Sequence, residues 1–220
     1  MGNIPLYHGS EKIISNPSIT MGVLYNDFGP GFYCTRDPEE AARWACHRSS
    51  SGFVNEYIAE TDGLNVLDLS SKGMTLLHWL AVVLTNRAFR ITSPNADRFI
   101  NHLNIFFRTD AENADIIVGQ RCDDSYFSFV RMFLDGRLSY ERLKDAMAGA
   151  ARQTVIRSEA AFERIRFVSC SLADADIHYP KRKATDDAVR ERIFSAAERP
   201  GDLYMHSIIR EEVMPDDPRL

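Results

Sequence analysis

Strand-like and helix-like segments follow one another in an irregular order along this chain, and that order limits the possible folds more than its composition does. A strand over residues 5–8 and a glycine-rich segment leading into a strand over residues 32–35 come before the first helix. Two strands, a helical block and three further strands are expected after it. A doubly wound parallel sheet needs regular alternation of strand and helix, which this order lacks. The sequence therefore predicts an α+β fold.

Local signals place the individual elements. Asp37 can cap a helix, Pro38 suits the first helical position, and the carboxylates of Glu39 and Glu40 favour the positive end of that helix. Residues 53–59 alternate along the chain, which is typical of a strand. Comparable patterns predict strands over residues 65–69, 115–119, 153–157 and 165–171, and helices over residues 74–86, 96–107, 123–134, 139–148 and 184–197.

The helical segments interrupt the series of strands, so we expect them to pack on the sheet core as insertions at about residues 73–108 and 123–148. A length of 220 residues suits one large domain or one domain with an added lobe. The sequence therefore predicts a domain over residues 1–185, followed by a polar helix and tail over residues 186–220.

Composition and motif searches exclude several classes of function. A net charge of −5 argues against a broad basic surface for duplex nucleic acid. The longest apolar stretch, residues 76–84, is shorter than the roughly 18 residues of a membrane span, and there is no secretory leader, so we expect a cytoplasmic protein without a membrane partner. The four cysteines are widely separated and the histidines lack metal-ligand spacing, which predicts reduced thiols and no metal. GxGxxG, phosphate-loop, HExxH and GxSxG motifs are absent.

Two short motifs could carry chemistry. His8 ends the first strand beside Gly9, where an imidazole can project into a cleft and a planar ligand can approach the main chain. A half-buried histidine held by one backbone carbonyl fits the same residues. Residues 27–35 read Asp-Phe-Gly-Pro-Gly-Phe-Tyr-Cys-Thr, and the ring of Tyr33 offers either a stacking surface or a part of the core.

The order of these motifs is more specific than either motif alone. His-Gly, then Gly-Phe-Tyr-x-Thr, then a helix carrying Ala-x-x-Trp-Ala resembles the opening of ADP-ribosyltransferase-like proteins. From about residue 5 to 185 the chain resembles one bacterial family of unknown function within that superfamily. The segments that carry the resemblance are residues 6–10, 27–35, 39–45, 52–57, 115–119, 123–127, 153–158 and 179–184.

The resemblance implies an ADP-ribosyltransferase-like split sheet, mixed and antiparallel, and NAD as a substrate instead of a redox cofactor. In the superfamily a histidine holds a ribose hydroxyl, the next glycine meets the nicotinamide amide and a tyrosine stacks on the ring. By motif position these roles fall on His8, Gly9 and Tyr33. The NAD-binding residues expected in this way are Tyr7, His8, Gly9, Ser10, Gly31, Phe32, Tyr33, Thr35, Arg36, Asp123 and Asp124.

The third superfamily position, usually a glutamate on a later strand, is where the chain departs from the pattern. Gln153 is the candidate here, with His8 and Tyr33 as the other catalytic residues, but a neutral amide cannot neutralise a cation or act as a general base. Asp123, Asp124 or Glu159 could supply a carboxylate. The alternatives are that an aspartate caps the helix starting near residue 125 and that Glu159 lies in a solvated turn.

Two arginines follow the predicted Tyr33 strand and could contact phosphate. Arg36 and Arg43 could pair with the diphosphate of NAD or be ordinary surface charges.

The resemblance implies an ADP-ribosyltransferase that cleaves the nicotinamide–ribose bond and modifies a macromolecular acceptor. Families of this kind often act as toxins with a small inhibitory partner protein. The alternative is a non-catalytic module that binds or senses NAD or ADP-ribose; a structural protein with a degenerate cleft is a third possibility.

Overall fold

The computed structural model describes residues 2–19, 24–48, 50–90, 94–196 and 199–220 of the chain. Within these ranges the protein is an α+β fold of seven strands and eight helices. The strands are β1 (Asn3–Ser10), β2 (Phe32–Cys34), β3 (Gly52–Glu60), β4 (Val66–Asp68), β5 (Ile116–Gln120), β6 (Arg152–Ile156) and β7 (Ile165–Ala173). The helices are α1 (Pro38–Ala45), α2 (Leu76–Asn86), α3 (Pro94–Phe106), α4 (Asp124–Leu134), α5 (Tyr140–Ala148), α6 (Glu159–Phe162), α7 (Ala175–Ser195) and α8 (Met205–Arg210).

The strands form two open sheets that meet at one backbone bridge. The first sheet has the order β1-β3-β7 and is antiparallel, whereas the second has the order β2-β6-β5-β4 with β4 and β5 parallel. Tyr7 of β1 and Thr35, which follows β2, exchange two backbone hydrogen bonds of 2.8 and 2.9 Å. This bridge brings the end of β1 next to β2.

The second sheet separates two parts of the core. Phe32, Ile156 and Ile116 lie opposite one another across β2, β6 and β5, and they pack against Leu6 and Tyr57 of the first sheet. Because successive side chains of a strand point to opposite faces, the next row faces the other way. That row consists of Tyr33, Val155 and Ile117, and it packs with the large core cluster of the helical segments.

Helix α1 covers the opposite face of the first sheet. Asp37 caps it by accepting the N–H of Glu39 at 2.9 Å, as the sequence predicts. Gly9 allows the helix to approach closely, because a Cβ at this position would lie 1.9 Å from the carbonyl oxygen of Ala41. The glycine therefore serves helix packing beside the position expected to bind a ligand.

The predicted strands and most helices agree with the structure to within about two residues at each end. The prediction of a C-terminal helix starting at residue 184 is wrong: α7 starts at Ala175, because Asp174 caps it by accepting the N–H of Asp176, and Pro180 lies within the helix. Residue 197, its predicted end, and residues 91–93 of the first helical insertion lie outside the described residues. The predicted boundary at residue 185 falls inside α7.

The end of the chain packs back on the helical core. Ile193 of α7 and Ile208 of α8, a helix that the sequence analysis missed, belong to the large core cluster. No helix in the described ranges has the length and apolar character needed to cross a membrane.

Candidate functional site

His8 lies at the junction of the two sheets. Its Nδ1 is 2.7 Å from the carbonyl oxygen of Tyr33, and its ring stacks on Phe32 with 4.4 Å between centroids. A carbonyl can only accept, so Nδ1 carries the proton and donates it. Burial lowers the pKa of His8, which favours the neutral ring. In that tautomer Nε2 is an acceptor for a hydroxyl donor.

Tyr33 lies on the helix-facing side of β2. Its hydroxyl donates to the carbonyl oxygen of Gly29 at 2.6 Å and accepts the N–H of Phe28 at 3.0 Å. Gly29 has a φ of +77°, a backbone conformation that favours glycine. Burial raises the pKa of the phenol, so it stays protonated. The two hydrogen bonds fix the ring by its far end.

Gln153 shares this face of the second sheet. It lies opposite Gly119 of β5, two residues before Val155, the partner of Tyr33. Its side chain is buried, and Nε2 donates to an oxygen of Asp27 at 3.0 Å. That bond uses one of the two N–H donors of Nε2 and fixes the orientation of the amide, and the carbonyl Oε1 is the acceptor that Gln153 can offer a ligand.

Asp27 is the buried centre of a hydrogen-bond cluster. One carboxylate oxygen accepts from Arg87 at 2.7 Å, and the other accepts from Gln153 and from the N–H of Cys122 at 2.8 Å. Burial raises the pKa of this carboxyl group, and its partners lower it. All three partners are donors, which is the set that an ionised carboxylate needs.

Arg87 ties this cluster to the surface. Its guanidinium also donates to the backbone carbonyl of Cys122 and to the exposed carboxylate of Asp124, and it lies over the ring of Phe127 at 4.5 Å. A single residue at the end of α2 therefore connects the buried Asp27 with the beginning of α4.

These groups line one cavity of about 400 Å³. Of the predicted site residues, the structure brings six together there: His8, Gly9, Tyr33, Asp123, Asp124 and Gln153. The sequence analysis missed the eight other residues of the lining, which are Asn26, Asp27, Trp44, Arg87, Arg121, Cys122, Ser125 and Arg182. Asp27 was identified only as the first residue of the second motif. No local pattern singled out Arg87 or Arg121.

The remaining predicted residues lie outside this lining, and they are Tyr7, Ser10, Gly31, Phe32, Thr35 and Arg36. Phe32 stacks against the His8 ring, and Thr35 is buried in the backbone bridge between the sheets. Gly31 is needed for packing, because a Cβ would lie 2.6 Å from Val155. Arg36 is exposed.

The possible carboxylates have different environments. Asp123 caps α4 by accepting the N–H groups of Ser125 and Tyr126, as the capping alternative predicts. Asp124 is exposed at the rim of the cavity and pairs with Arg87. Glu159 starts α6 and is not among the lining residues.

The charges of the cavity come from arginine and aspartate side chains. In the described part of the chain, no group of three or more His, Cys, Asp or Glu side chains is placed to hold a metal ion. The four cysteines are free thiols, and Cys122 is the one that lines the cavity, where burial raises its pKa.

Comparisons with known proteins place the chain at the level of a family. The model of a family described as a protein of unknown function (DUF3990) matches residues 4–167, which include His8, Asp27, Tyr33 and Gln153. The searches of curated proteins and of solved structures found no match. Because the match covers well over half of the sequence, the chain belongs to the DUF3990 family.

Proposed function

We propose that the protein is an ADP-ribosyltransferase that cleaves the nicotinamide–ribose bond of NAD and transfers ADP-ribose to a macromolecular acceptor. The observation that carries the proposal is that His8, Gly9, Tyr33 and Gln153, which belong to β1, β2 and β6, line one cavity. We also propose that the two sheets joined between β1 and β2 are the split sheet of the ADP-ribosyltransferase-like fold.

The hydrogen-bonding capacity of the cavity suits a ribose. His8 Nε2 and Gln153 Oε1 are both acceptors, because Nδ1 of His8 and Nε2 of Gln153 donate to Tyr33 and Asp27. The two hydroxyls of a ribose are both donors. The aromatic face of Tyr33, fixed by its hydroxyl, suits a planar nicotinamide ring.

The proposed reaction breaks the bond between C1′ of the ribose and the nicotinamide nitrogen, and the electron pair leaves with nicotinamide. The acceptor attacks the positively charged C1′, forms the new bond and releases one proton. Acceptors facing the ribose hydroxyls would stabilise the positive charge that develops on the sugar. Asp124 is the exposed carboxylate at the rim that could accept the proton.

A second candidate, a non-catalytic NAD or ADP-ribose sensor, is favoured by one specific observation. Gln153 occupies the position of the usual acid, and the nearest carboxylate, Asp27, already accepts three hydrogen bonds. With both oxygens engaged by these donors and the side chain buried, Asp27 is not placed to take a proton from an acceptor molecule. The sensor would bind NAD without releasing nicotinamide.

The test measures nicotinamide release from NAD by the purified protein. We expect release by the wild type and a loss of at least about 100-fold in His8→Ala and Tyr33→Ala, because each removes a contact to the reacting half of the substrate. His206→Ala changes an exposed histidine outside the cavity and should keep the wild-type rate. Tyr33→Phe retains the ring and should keep more activity than Tyr33→Ala.

The outcomes separate the candidates. Thermal stabilisation by NAD without nicotinamide release supports the sensor, since binding to the folded state raises its stability. If the wild type, His8→Ala and Tyr33→Ala all release nicotinamide at the same measurable rate, the cavity is neither the catalytic site of a transferase nor the binding site of a sensor. If release is observed, labelled NAD incubated with a cell lysate identifies whether the acceptor is protein or nucleic acid.

A further inference from the structure

Two arginines lie where the main cavity meets a smaller neighbour. Arg121 follows β5 directly, and Arg182 lies on α7 beyond the residues that the family model matches. Both line the cavity of about 400 Å³ and an adjoining cavity of about 40 Å³ between α1, α4 and α7. The two arginines therefore border both cavities, whereas His8 and Tyr33 line only the larger one.

Arg121 is held in place without a close counter-charge. Its guanidinium lies over the ring of Trp44 at 4.3 Å, and its nearest ion pair in the described part of the chain is Asp123 at 4.0 Å. Burial lowers the pKa of Arg121, and the neighbouring charge of Arg182 acts in the same direction. Two like charges placed together are stabilised when an anion binds between them.

The acids around these arginines are already engaged. Asp27 and Asp124 pair with Arg87, and Glu40 pairs with Arg43. Asp123 accepts two N–H groups of α4, and Asp186 accepts the hydroxyl of Ser125 at 3.1 Å. Among the described residues, Arg182 has no hydrogen bond or ion pair within 4.0 Å. Arg121 and Arg182 are therefore the arginines of the two cavities without a close ion pair: Asp123 lies 4.0 Å from Arg121, and Asp186 interacts with Arg182 only at longer range.

We propose that Arg121 and Arg182 form an anion subsite that takes the diphosphate group of the ligand. The subsite differs from the expected pairing of phosphate with Arg36 and Arg43: Arg36 lines neither cavity, and Arg43 lines the smaller one but pairs with Glu40. Guanidinium groups suit this role because they donate in pairs to phosphate oxygens. The inference deepens the proposed function and rests on it for the identity of the ligand as NAD.

The test uses isothermal titration calorimetry to measure the dissociation constants of the full chain for inorganic pyrophosphate and for ADP-ribose. We expect both to bind the wild type, and Arg121→Gln and Arg182→Gln each to weaken binding by roughly tenfold or more, because each removes a charged donor. The affinity for pyrophosphate should fall as salt increases. Arg166→Gln is the matched control, because this exposed arginine on β7 lies outside both cavities.

Arg121 stacks on Trp44, so its substitution also removes a packing contact, and a thermal melt therefore accompanies each variant. Arg182→Gln tests the subsite independently of that contact. Weaker binding in the two cavity variants with Arg166→Gln unchanged supports the subsite, even if the protein releases no nicotinamide from NAD. Unchanged pyrophosphate affinity in folded Arg182→Gln, or no binding by the wild type, overturns the subsite and leaves the proposed function standing if nicotinamide is released.

Discussion

Replacing Asp27 by alanine should lower the free energy of unfolding by roughly 3–5 kcal/mol, the range measured when one partner of a buried ion pair is removed. The substitution leaves Arg87, the side-chain amide of Gln153 and the N–H of Cys122 without their shared acceptor. The cost is large because Asp27 is 2% exposed and water cannot replace it without rearrangement. Chemical denaturation of the two proteins measures the difference.

Asp124→Ala is the matched control for this experiment. It removes the other carboxylate that pairs with Arg87, but that side chain is fully exposed, so we expect no measurable change in stability. Equal losses in Asp27→Ala and Asp124→Ala would contradict the view that the buried cluster, and not the surface pair, holds the loop before β2 against β5 and β6.

The second large effect is expected from Gln153→Glu, which places an acid at the position where the proposed ADP-ribosyltransferase function would call for one. The new carboxylate would lie near 3.0 Å from an oxygen of Asp27, where the amide nitrogen is now. Two adjacent buried carboxylates cannot both ionise, so one pKa rises strongly. Keeping a glutamate protonated at pH 7 costs up to about 4 kcal/mol, and this loss should shrink as the pH falls toward 4.

The sign follows from proton binding. The folded variant would hold a proton that the unfolded chain releases above its ordinary glutamate pKa, so stability falls as the pH rises. Adding Asp27→Asn to the Gln153→Glu protein removes one of the two carboxylates and should recover part of the lost stability. Gln120→Glu makes the same chemical change on β5, outside the Asp27 cluster, and is the control. A fully stable Gln153→Glu protein at pH 7 would contradict the contact between Asp27 and Gln153.

Much of the fold could be predicted because its signals are local. The Asp37-Pro38 start of α1, the alternation in β3 and the apolar run of β5 are readable from a few neighbouring residues. The strand register and the contact between the two sheets could not be predicted, because they depend on pairings of distant residues such as Tyr7 with Thr35. The early start of α7 was missed: the helix begins nine residues before the predicted start and contains Pro180, which removes a helical hydrogen bond and is not typical of a helix interior.

The candidate site shows the same division. His8 and Tyr33 carry motif signals, whereas Asp27 gains its role from partners that are 60, 95 and 126 residues away in the sequence. A turn aspartate and a helix-terminal arginine have no pattern that predicts such pairing. The acid near Gln153 was expected from Asp123, Asp124 or Glu159, all of which follow the first two motifs. The carboxylate bonded to Gln153 comes instead from the loop before β2.

The chemistry of Gln153 decides between the two proposed functions. As an acceptor toward ribose hydroxyls, its carbonyl would support binding of the substrate and part of the charge stabilisation. It cannot remove a proton from an acceptor molecule, so transfer would depend on an acceptor that loses its proton readily or on the rim carboxylate of Asp124. A binding module needs neither.

The most direct measurement is a crystal structure of the protein with a non-hydrolysable NAD analogue. The account predicts the nicotinamide ring against the face of Tyr33, ribose hydroxyls donating to His8 Nε2 and Gln153 Oε1, and the diphosphate between Arg121 and Arg182. An analogue bound instead in the separate cavity of about 350 Å³ beside Arg157, or a cavity that remains empty at saturating analogue, would contradict the account.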